Sequence, residues 1–391
     1  MSSQVAHKER AHAVLSASAS SRWLACIPSA QLEATFPNTT SSYAEEGTLA
    51  HEIAELKLRK YYLEPMSPKK FSTRMNKLKK NELYQPEMDG YTDTYVEYLQ
   101  KITLGYDGQS YVAIEKKVDF NTFVPDGFGT VDGLIIAGND MYITDLKYGK
   151  GVQISAENNT QMMLYALGAL MEYSFLYAIK NVHMAIIQPR LDNVSEFLMT
   201  VEDLLAWGES IKETARKAYA GEGEFTPGNH CKFCKAKATC RARAEQYKNI
   251  AEFTQIKKPP LLSNDEVGDY LSLVKDVEAW AKALKDYALD ECLKGADIKG
   301  WKAVEGRASR DYADMDAAFA YLKDKGVDEA ILFEKKPLTV PAVEKLLGKK
   351  DYRELLDEKG FIRHVPGKPT LVPKSDKRKA YTPPSAEDVF N

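Results

Sequence analysis

The stretch FGTVDGLIIAGNDMYITDLKYGKG, residues 128–151, decides how this chain is read. Two apolar, strand-like runs flank Gly138-Asn139-Asp140, a turn sequence that folds them into a hairpin. On the second run Asp145 and Lys147 are two apart, so the strand period puts both on one face. Asp132, on the first run, can lie across the hairpin from them. Two carboxylates converging on one point make a hard-oxygen set suited to Mg²⁺ or Mn²⁺. A lysine beside them can orient water or stabilise charge developing on a phosphate. Leu146 points its side chain away, which leaves its carbonyl as a further ligand. Alone, Asp-x-Lys on a strand edge is an ordinary surface ion pair of little energetic weight; its neighbours in sequence change that.

Upstream, residues 43–62 (YAEEGTLAHEIAELKLRKYY) lack proline and are rich in helix formers, which predicts a helix. Leu49, Ile53 and Leu56 share one stripe of it, and His51 falls on the opposite stripe with Gly47, Ala54 and Leu58. Residues 57–80 then carry nine Lys/Arg and one Glu. That run reads either as a solvated face or as a phosphate-tracking surface containing Lys77, Lys79 and Lys80. YVAIEKKVDF (111–120), with Glu115, reads as a strand. Downstream come a helix near 156–172 bearing Gln161 and Tyr165 one turn apart, strands at 182–190 and 196–201, and a helix at 202–220. This alternation predicts an α/β core with a central mixed sheet flanked by helices. FTQIKKPPLLSN, around 252–264, reads as a linker, 265–294 as one long helix, and KGWKAVEGR as a strand. Further helices fall near 313–325, 340–347 and 351–358, giving a mainly helical accessory domain over 264–370. The polar, proline-containing end, 371–391, reads as a flexible tail whose EDVFN tip is reminiscent of partner-docking tails.

The cysteines add a second signal. Cys231, Cys234 and Cys240 stand in CKFCKAKATC, and Cys26 lies 205 positions before the first of them. The Cys-x2-Cys step lets two thiolates reach one metal, and the third can close the same site. Spacing leaves zinc and an iron–sulfur centre both open, with His230 as a substitute zinc ligand. Cys26 follows a Ser-rich, helix-capping segment (LSASASSRWLACIP) and is the candidate fourth ligand. Joined, the four would staple the two ends of a domain over residues 11–250. Cys292 sits in a helical pattern as a buried hydrophobe.

Composition sets the frame. The chain has 391 residues, 53 Lys+Arg against 56 Asp+Glu, a formal charge of −3 and 44% hydrophobic residues. Two domains are expected at roughly 150 residues each. A disordered tail protein, a coiled coil, a collagen and a globally basic nucleic-acid binder are excluded. No apolar run is long enough to span a bilayer, and MSSQVAHKERAHAVLSASAS has no continuous apolar core, so a cytoplasmic protein without membrane attachment is expected.

The joint order is Cys26, His51, Glu115, Asp132, Asp145-x-Lys147, Gln161-x3-Tyr165, then Cys231-x2-Cys234-x5-Cys240. It resembles the RecB-type nucleases of the PD-(D/E)XK superfamily, in the iron–sulfur branch that includes the AddB nuclease domain and the nucleases of CRISPR spacer adaptation. SASASSRWLACIP matches the family's first cysteine, GTLAHE its helix histidine and GTVDGLI its first metal-binding aspartate. Val131 stands where the superfamily name has proline, as in many RecB-type members. Glu115 has a less direct counterpart and is carried as an accessory carboxylate. The whole chain also looks like an uncharacterised protein of phage and prophage replication gene clusters.

The resemblance implies a PD-(D/E)XK core with an iron–sulfur staple that hydrolyses DNA phosphodiesters, with exonuclease action on single-stranded or processed ends, in a bacterial host during phage replication or recombination. His51, Asp132, Asp145 and the Leu146 carbonyl would hold one or two Mg²⁺ or Mn²⁺ ions, and Lys147, Gln161 and Tyr165 would complete the catalytic set. Cys26, Cys231, Cys234 and Cys240 would hold a [4Fe–4S] cluster, zinc being the alternative. Lys77, Lys79, Lys80, Lys150, Lys232, Lys235 and Arg241 would contact DNA. The competing expectation is a non-catalytic DNA-binding or recombination scaffold retaining the same fold.

Overall fold

In a computed structural model of the chain, the hairpin of residues 128–146 is the centre of a five-stranded sheet. The structure describes residues 13–37, 42–248, 263–304, 314–325, 332 and 339–362. The strands are β1 (Tyr111–Asp119), β2 (Phe128–Ala137), β3 (Asp140–Leu146), β4 (Asn181–Gln188) and β5 (Asn193–Thr200), in the spatial order β1-β2-β3-β4-β5. β3 and β4 pair in parallel and all other neighbours antiparallel, so the sheet is mixed, as the alternation predicted. Parallel pairing requires a crossover, supplied by helix α6 (Thr160–Tyr173). That helix starts at 160 because the Asn159 side chain accepts the backbone N–H groups of Gln161 and Met162.

Alternate residues of the strands feed two cores. Leu134, Ile136, Ile143, Met184 and Ile186 pack on one face with α6, α7 (Val201–Ala220) and Trp23 of α1 (Ser20–Ala25). Ile135, Ala137, Leu146, Ala185 and Ile187 pack on the other, against α3 (Ser42–Tyr62) and α5 (Glu87–Leu104). α3 is the helix expected over 43–62. α5 and α4 (Pro68–Leu78) were not foreseen, although Ser67-Pro68 is an N-cap followed by proline at the first helical position. The approach of α5 depends on Gly133: a Cβ there would stand 2.4 Å from Thr144 Oγ1 and 2.9 Å from Leu99. Thr144 in turn bonds the Tyr95 hydroxyl of α5 at 2.9 Å.

α2 (Ser29–Ala34) follows Cys26, and α8 (Arg241–Lys248) follows the cysteine triplet. The chain divides into compact units at Met1–Val304 and Glu305–Asn391. The long helix α9 (Asn264–Leu293), expected in the accessory domain, packs within the first unit. Trp280 donates to the Ala238 carbonyl at 3.3 Å and stacks on Tyr247, whose hydroxyl donates to Asp276. Of the strand expected at 299–307, residues 299–304 are described and show only the isolated bridge Ile298–Trp301. The second unit contains α10 (Met315–Asp324), α11 (Val340–Leu347) and α12 (Lys349–Tyr352), the last running into a π-turn. Most of the expected linker and the whole tail, 371–391, lie outside the described residues. No helix among the described residues is long and apolar enough to cross a membrane.

Candidate active site

The strict alternation of β1 and β2 fails at one place, and the site is built there. In β2, Val131 belongs to the α6 core, yet a Cβ on Gly133, two residues on, would meet Leu99 and Tyr95 of α5. In β1, Ile114 belongs to the α5 core, yet Lys116 reaches Glu172 and the Tyr173 ring of α6. Residues two apart on a regular strand share a face, so the faces switch at Asp132 and at Glu115. These two positions oppose each other in the β1–β2 register, between the pairs Ile114–Gly133 and Lys116–Val131. Glu115 has φ +49°, a left-handed value in mid-strand that carries a strain of order 1–3 kcal/mol.

The switch turns both carboxylates toward α3. His51 Nδ1 lies 3.4 Å from Asp132 Oδ2 and 4.0 Å from Glu115 Oε1. Among the described residues, His51, Glu115 and Asp132 offer ligand atoms all within 4.8 Å of one another. Asp132 Oδ2 also accepts the Leu146 N–H at 2.7 Å, capping the hairpin where the β2–β3 ladder ends at Gly133–Thr144. The N–H and C=O of one strand residue project to the same side, so the Leu146 carbonyl faces this carboxylate too.

Asp145 and Lys147 face α6. Lys147 Nζ donates to Asp145 Oδ1 at 3.2 Å and to Gln161 Oε1 at 3.4 Å. Gln161 Nε2 donates to Asp145 Oδ1 at 3.0 Å and to the Tyr165 hydroxyl at 3.2 Å. Asp145 is only 2% exposed. Its Oδ2, though 3.0 Å from Lys147 Nζ, has no donor aligned with it. An unsatisfied buried carboxylate oxygen is costly unless a cation or donor meets it. Gly129 makes room for this arrangement, since a Cβ there would lie 2.6 Å from the Tyr165 ring.

Electrostatics follow the geometry. Burial alone would lower the His51 pKa, but Asp132, with Asp145 and Glu115 behind it, holds it up to about 9. Burial and the neighbouring Asp132 charge push Glu115 up to about 7. Burial, reinforced by Asp132 and opposed by Lys147, raises Asp145. Lys147 is raised despite burial because Asp145 and Asp132 favour its charge. Tyr165 is pushed up to about 12 by burial and by Asp145, so its phenol keeps its proton.

Sequence reading missed the neighbouring pair Arg190–Glu46. Arg190 Nη1 reaches Glu46 at 3.1 Å and lies over the Tyr148 ring, tying the end of β4 to the start of the helix that carries His51. The basic run 57–80 is half neutralised in space: Lys57 pairs with Asp93, Arg59 with Glu55 and Glu64, Arg74 with Glu64, and Lys79 with Asp89. Lys77 and Lys80 stay exposed, as do Lys150, Lys232, Lys235 and Arg241.

Cys26, Cys231, Cys234 and Cys240 line one small cavity with Arg22, Thr226 and His230. Glu33 closes it from α2, accepting Arg22 Nε at 3.0 Å and the Lys235 N–H at 2.8 Å. The Gly228 N–H points to Cys231 Sγ at 3.4 Å, and the backbone at Thr226 and Ala236 bonds the sulfurs of Cys26 and Cys234. Burial raises the Cys26 thiol and pushes Cys234 up to about 11, in each case against that backbone bond. No three cysteine sulfurs come within 4.8 Å of one another among the described residues. Cys292 lies apart, half-buried in α9.

Among solved structures, the crystal structure of SSO0001 is 12% identical and is covered over 85% of its chain and 50% of this one, at a TM-score of 0.23. Similarity at that level carries no argument. Residues 12–379, nearly the whole chain, match the family described as "Protein of unknown function (DUF2800)", and the chain belongs to that family.

Proposed function

We propose that this protein is a metal-dependent deoxyribonuclease of the RecB-like, PD-(D/E)XK type, stapled by an iron–sulfur cluster. One observation carries the reading: the buried Asp145 Oδ2 has no aligned donor, beside an Asp-x-Lys strand and within the electrostatic reach of Asp132 and His51. That donor set fits a divalent cation, and one imidazole among carboxylate and carbonyl oxygens favours Mn²⁺ over Mg²⁺. Asp132, Asp145, the Leu146 carbonyl and His51 would hold it. Bound there, such an ion supplies an acidified water and positive charge for the leaving oxygen.

The protein's own groups do the rest. The Lys147 ammonium is held by Asp145 and Gln161, so it can orient the attacking water or neutralise charge gathering on the phosphoryl oxygens. Gln161 fixes the lysine with its carbonyl and the aspartate with its amide. The Tyr165 hydroxyl accepts from Gln161 and keeps its own proton for substrate or water. Exposed Lys77, Lys80, Lys150, Lys232, Lys235 and Arg241 would meet the DNA backbone.

Four cysteines lining one cavity supply the ligand set of a [4Fe–4S] cluster, which the resemblance favours over zinc. Backbone N–H groups aimed at sulfur are the expected support for thiolates ligating iron.

The test is incubation of labelled single- and double-stranded DNA with Mn²⁺ or Mg²⁺, comparing wild type with Asp145→Ala. Metal-dependent degradation by wild type alone supports the nuclease; intact DNA throughout leaves a DNA-binding scaffold. Equal degradation by both proteins refutes the assignment. A brown, iron-containing preparation supports the cluster, and a colourless one with stoichiometric zinc refutes it.

A further inference from the structure

Two buried side chains on the wall of the cysteine cavity carry polar atoms with nothing to meet. Ser29 Oγ of α2 and Arg243 Nε of α8 are shielded from solvent and have no hydrogen-bond partner, on residues only 3% and 2% exposed. Both residues line the cavity that Cys26, Cys231, Cys234 and Cys240 share. We propose that Arg243, assisted by Ser29, is the charge partner of the iron–sulfur cluster: it donates to cluster sulfur and holds the reduction potential high enough for an electron to be accepted. This rests on the cluster reading given above and adds side chains that lie outside the four ligands.

Donor chemistry is the first argument. A guanidinium Nε can only donate, and a buried donor left without an acceptor is destabilising. An anionic group held by the cysteines removes that penalty, and a thiolate-ligated cluster offers sulfur as the acceptor. The sulfurs of Cys26, Cys231 and Cys234 already meet backbone groups, so Arg243 and Ser29 extend that set of donors. Charge is the second argument. Arg22 pairs with the buried Glu33 at 3.0 Å, and Lys232, Lys235 and Lys237 are exposed to water. Arg243 is the buried cation of this wall, and no carboxylate among the described residues pairs with it. A four-thiolate cluster is net negative and becomes more so on reduction. A guanidinium buried beside it therefore stabilises the reduced form more than the oxidised one, which raises the potential.

The arginine is also braced. Its Nη1 donates to the Lys237 carbonyl at 3.2 Å, inside the cysteine loop, and it bonds the Tyr247 hydroxyl, which donates to Asp276 of α9 at 3.1 Å. Trp280, one turn along α9, donates to the Ala238 carbonyl at 3.3 Å. The long helix thus steadies both Arg243 and the loop that carries the cysteines, which gives α9 a part in the same device. With a cluster bound, both orphan donors are met. The redox step is the transfer of one electron to the oxidised cluster from a low-potential donor, dithionite in the test; no bond breaks and no proton moves.

The test uses the full chain purified without oxygen, reduced with dithionite and titrated potentiometrically by electron paramagnetic resonance. Arg243→Gln should lower the midpoint so that the ratio of reduced to oxidised cluster, at the wild-type midpoint, falls about tenfold, equivalent to about 59 mV for one electron. Arg243→Lys should recover part of that shift, and Ser29→Ala should move the ratio the same way by about twofold. Wild type grown with ¹⁵N-labelled arginine provides a readout that needs no variant: the reduced cluster should show hyperfine coupling to an arginine nitrogen. A brown protein whose midpoint is the same in wild type and Arg243→Gln overturns the proposal, as does a labelled wild type without that coupling or a cluster that dithionite leaves oxidised. A colourless, zinc-loaded protein removes the cluster reading and this role with it. A shifted midpoint with uncut DNA would leave Arg243 in its role and remove only the nuclease reading.

Discussion

The carboxylate pocket and the cysteine cavity are built in opposite ways. The pocket draws on three adjacent strands and two helices, and most of its groups lie between residues 115 and 165, with only His51 arriving from farther off. Its cost is local: a left-handed glutamate, a buried carboxylate oxygen without a donor and glycines that leave no room for a methyl group. The cavity joins the segment after α1 to the segment before α8, across most of the first unit, and the sulfurs of Cys26, Cys231 and Cys234 meet backbone N–H groups. Stored strain and unmet polar groups suit chemistry, whereas long-range closure with satisfied partners suits a staple. Loss of a polar side chain from the pocket should therefore remove activity and spare the fold; damage to the cavity should do the opposite.

The largest stability effect is expected at the cysteines. Cys26→Ser should lose bound iron and destabilise the protein by about 2–4 kcal/mol, the scale of losing a long-loop cross-link, while the folded fraction still binds Mn²⁺. Chemical denaturation and Mn²⁺ titration on one sample check this, and loss of Mn²⁺ binding by folded protein would merge the two regions into one. Next comes Gly129→Ala, which drives a Cβ into the Tyr165 ring and should cost about 1–3 kcal/mol by overpacking. Its Mn²⁺ affinity should stay at the wild-type level, because Tyr165 orients and does not ligate. Affinity falling with stability would break that division.

A smaller effect is pH-dependent. His51 titrates near 9 in the fold, against an ordinary 6.5. In metal-free protein its contribution is fully present below pH 6.5 and is lost as pH rises through 9. The Tm advantage of wild type over His51→Gln should therefore shrink across that window, and parallel Tm curves would contradict the charge assignment. The smallest effect is at the surface: Lys80→Ala should reduce the slope of log affinity for DNA against log salt by about one at most. An unchanged slope would return the basic run to a solvated face.

How legible the molecule was in sequence follows the same divide. Strand period and the Gly138-Asn139-Asp140 turn pointed to the hairpin, and the Asn159 cap accounts for the start of α6. Asp145, Lys147, Gln161 and Tyr165 do converge, because strand and helix periods fix which side chains share a face. The weight of Glu115 was not legible: regular alternation would send it to the α6 side, and only the left-handed backbone returns it to His51. Arg190–Glu46 was hidden for another reason, since a long-range ion pair leaves no periodic trace. The partial neutralisation of the basic run was not legible because two of its partners, Asp89 and Asp93, lie on a helix that sequence reading did not find.

The most direct test of the central claim is the Lys147→Ala variant under saturating Mn²⁺, with single-turnover cleavage of end-labelled DNA and Mn²⁺ stoichiometry measured on the same preparation. Lys147 donates to Asp145 and Gln161 but is no ligand, so the ions should stay bound while cleavage falls by roughly 10²–10³-fold. Cleavage at the wild-type rate with the ions in place would contradict the account.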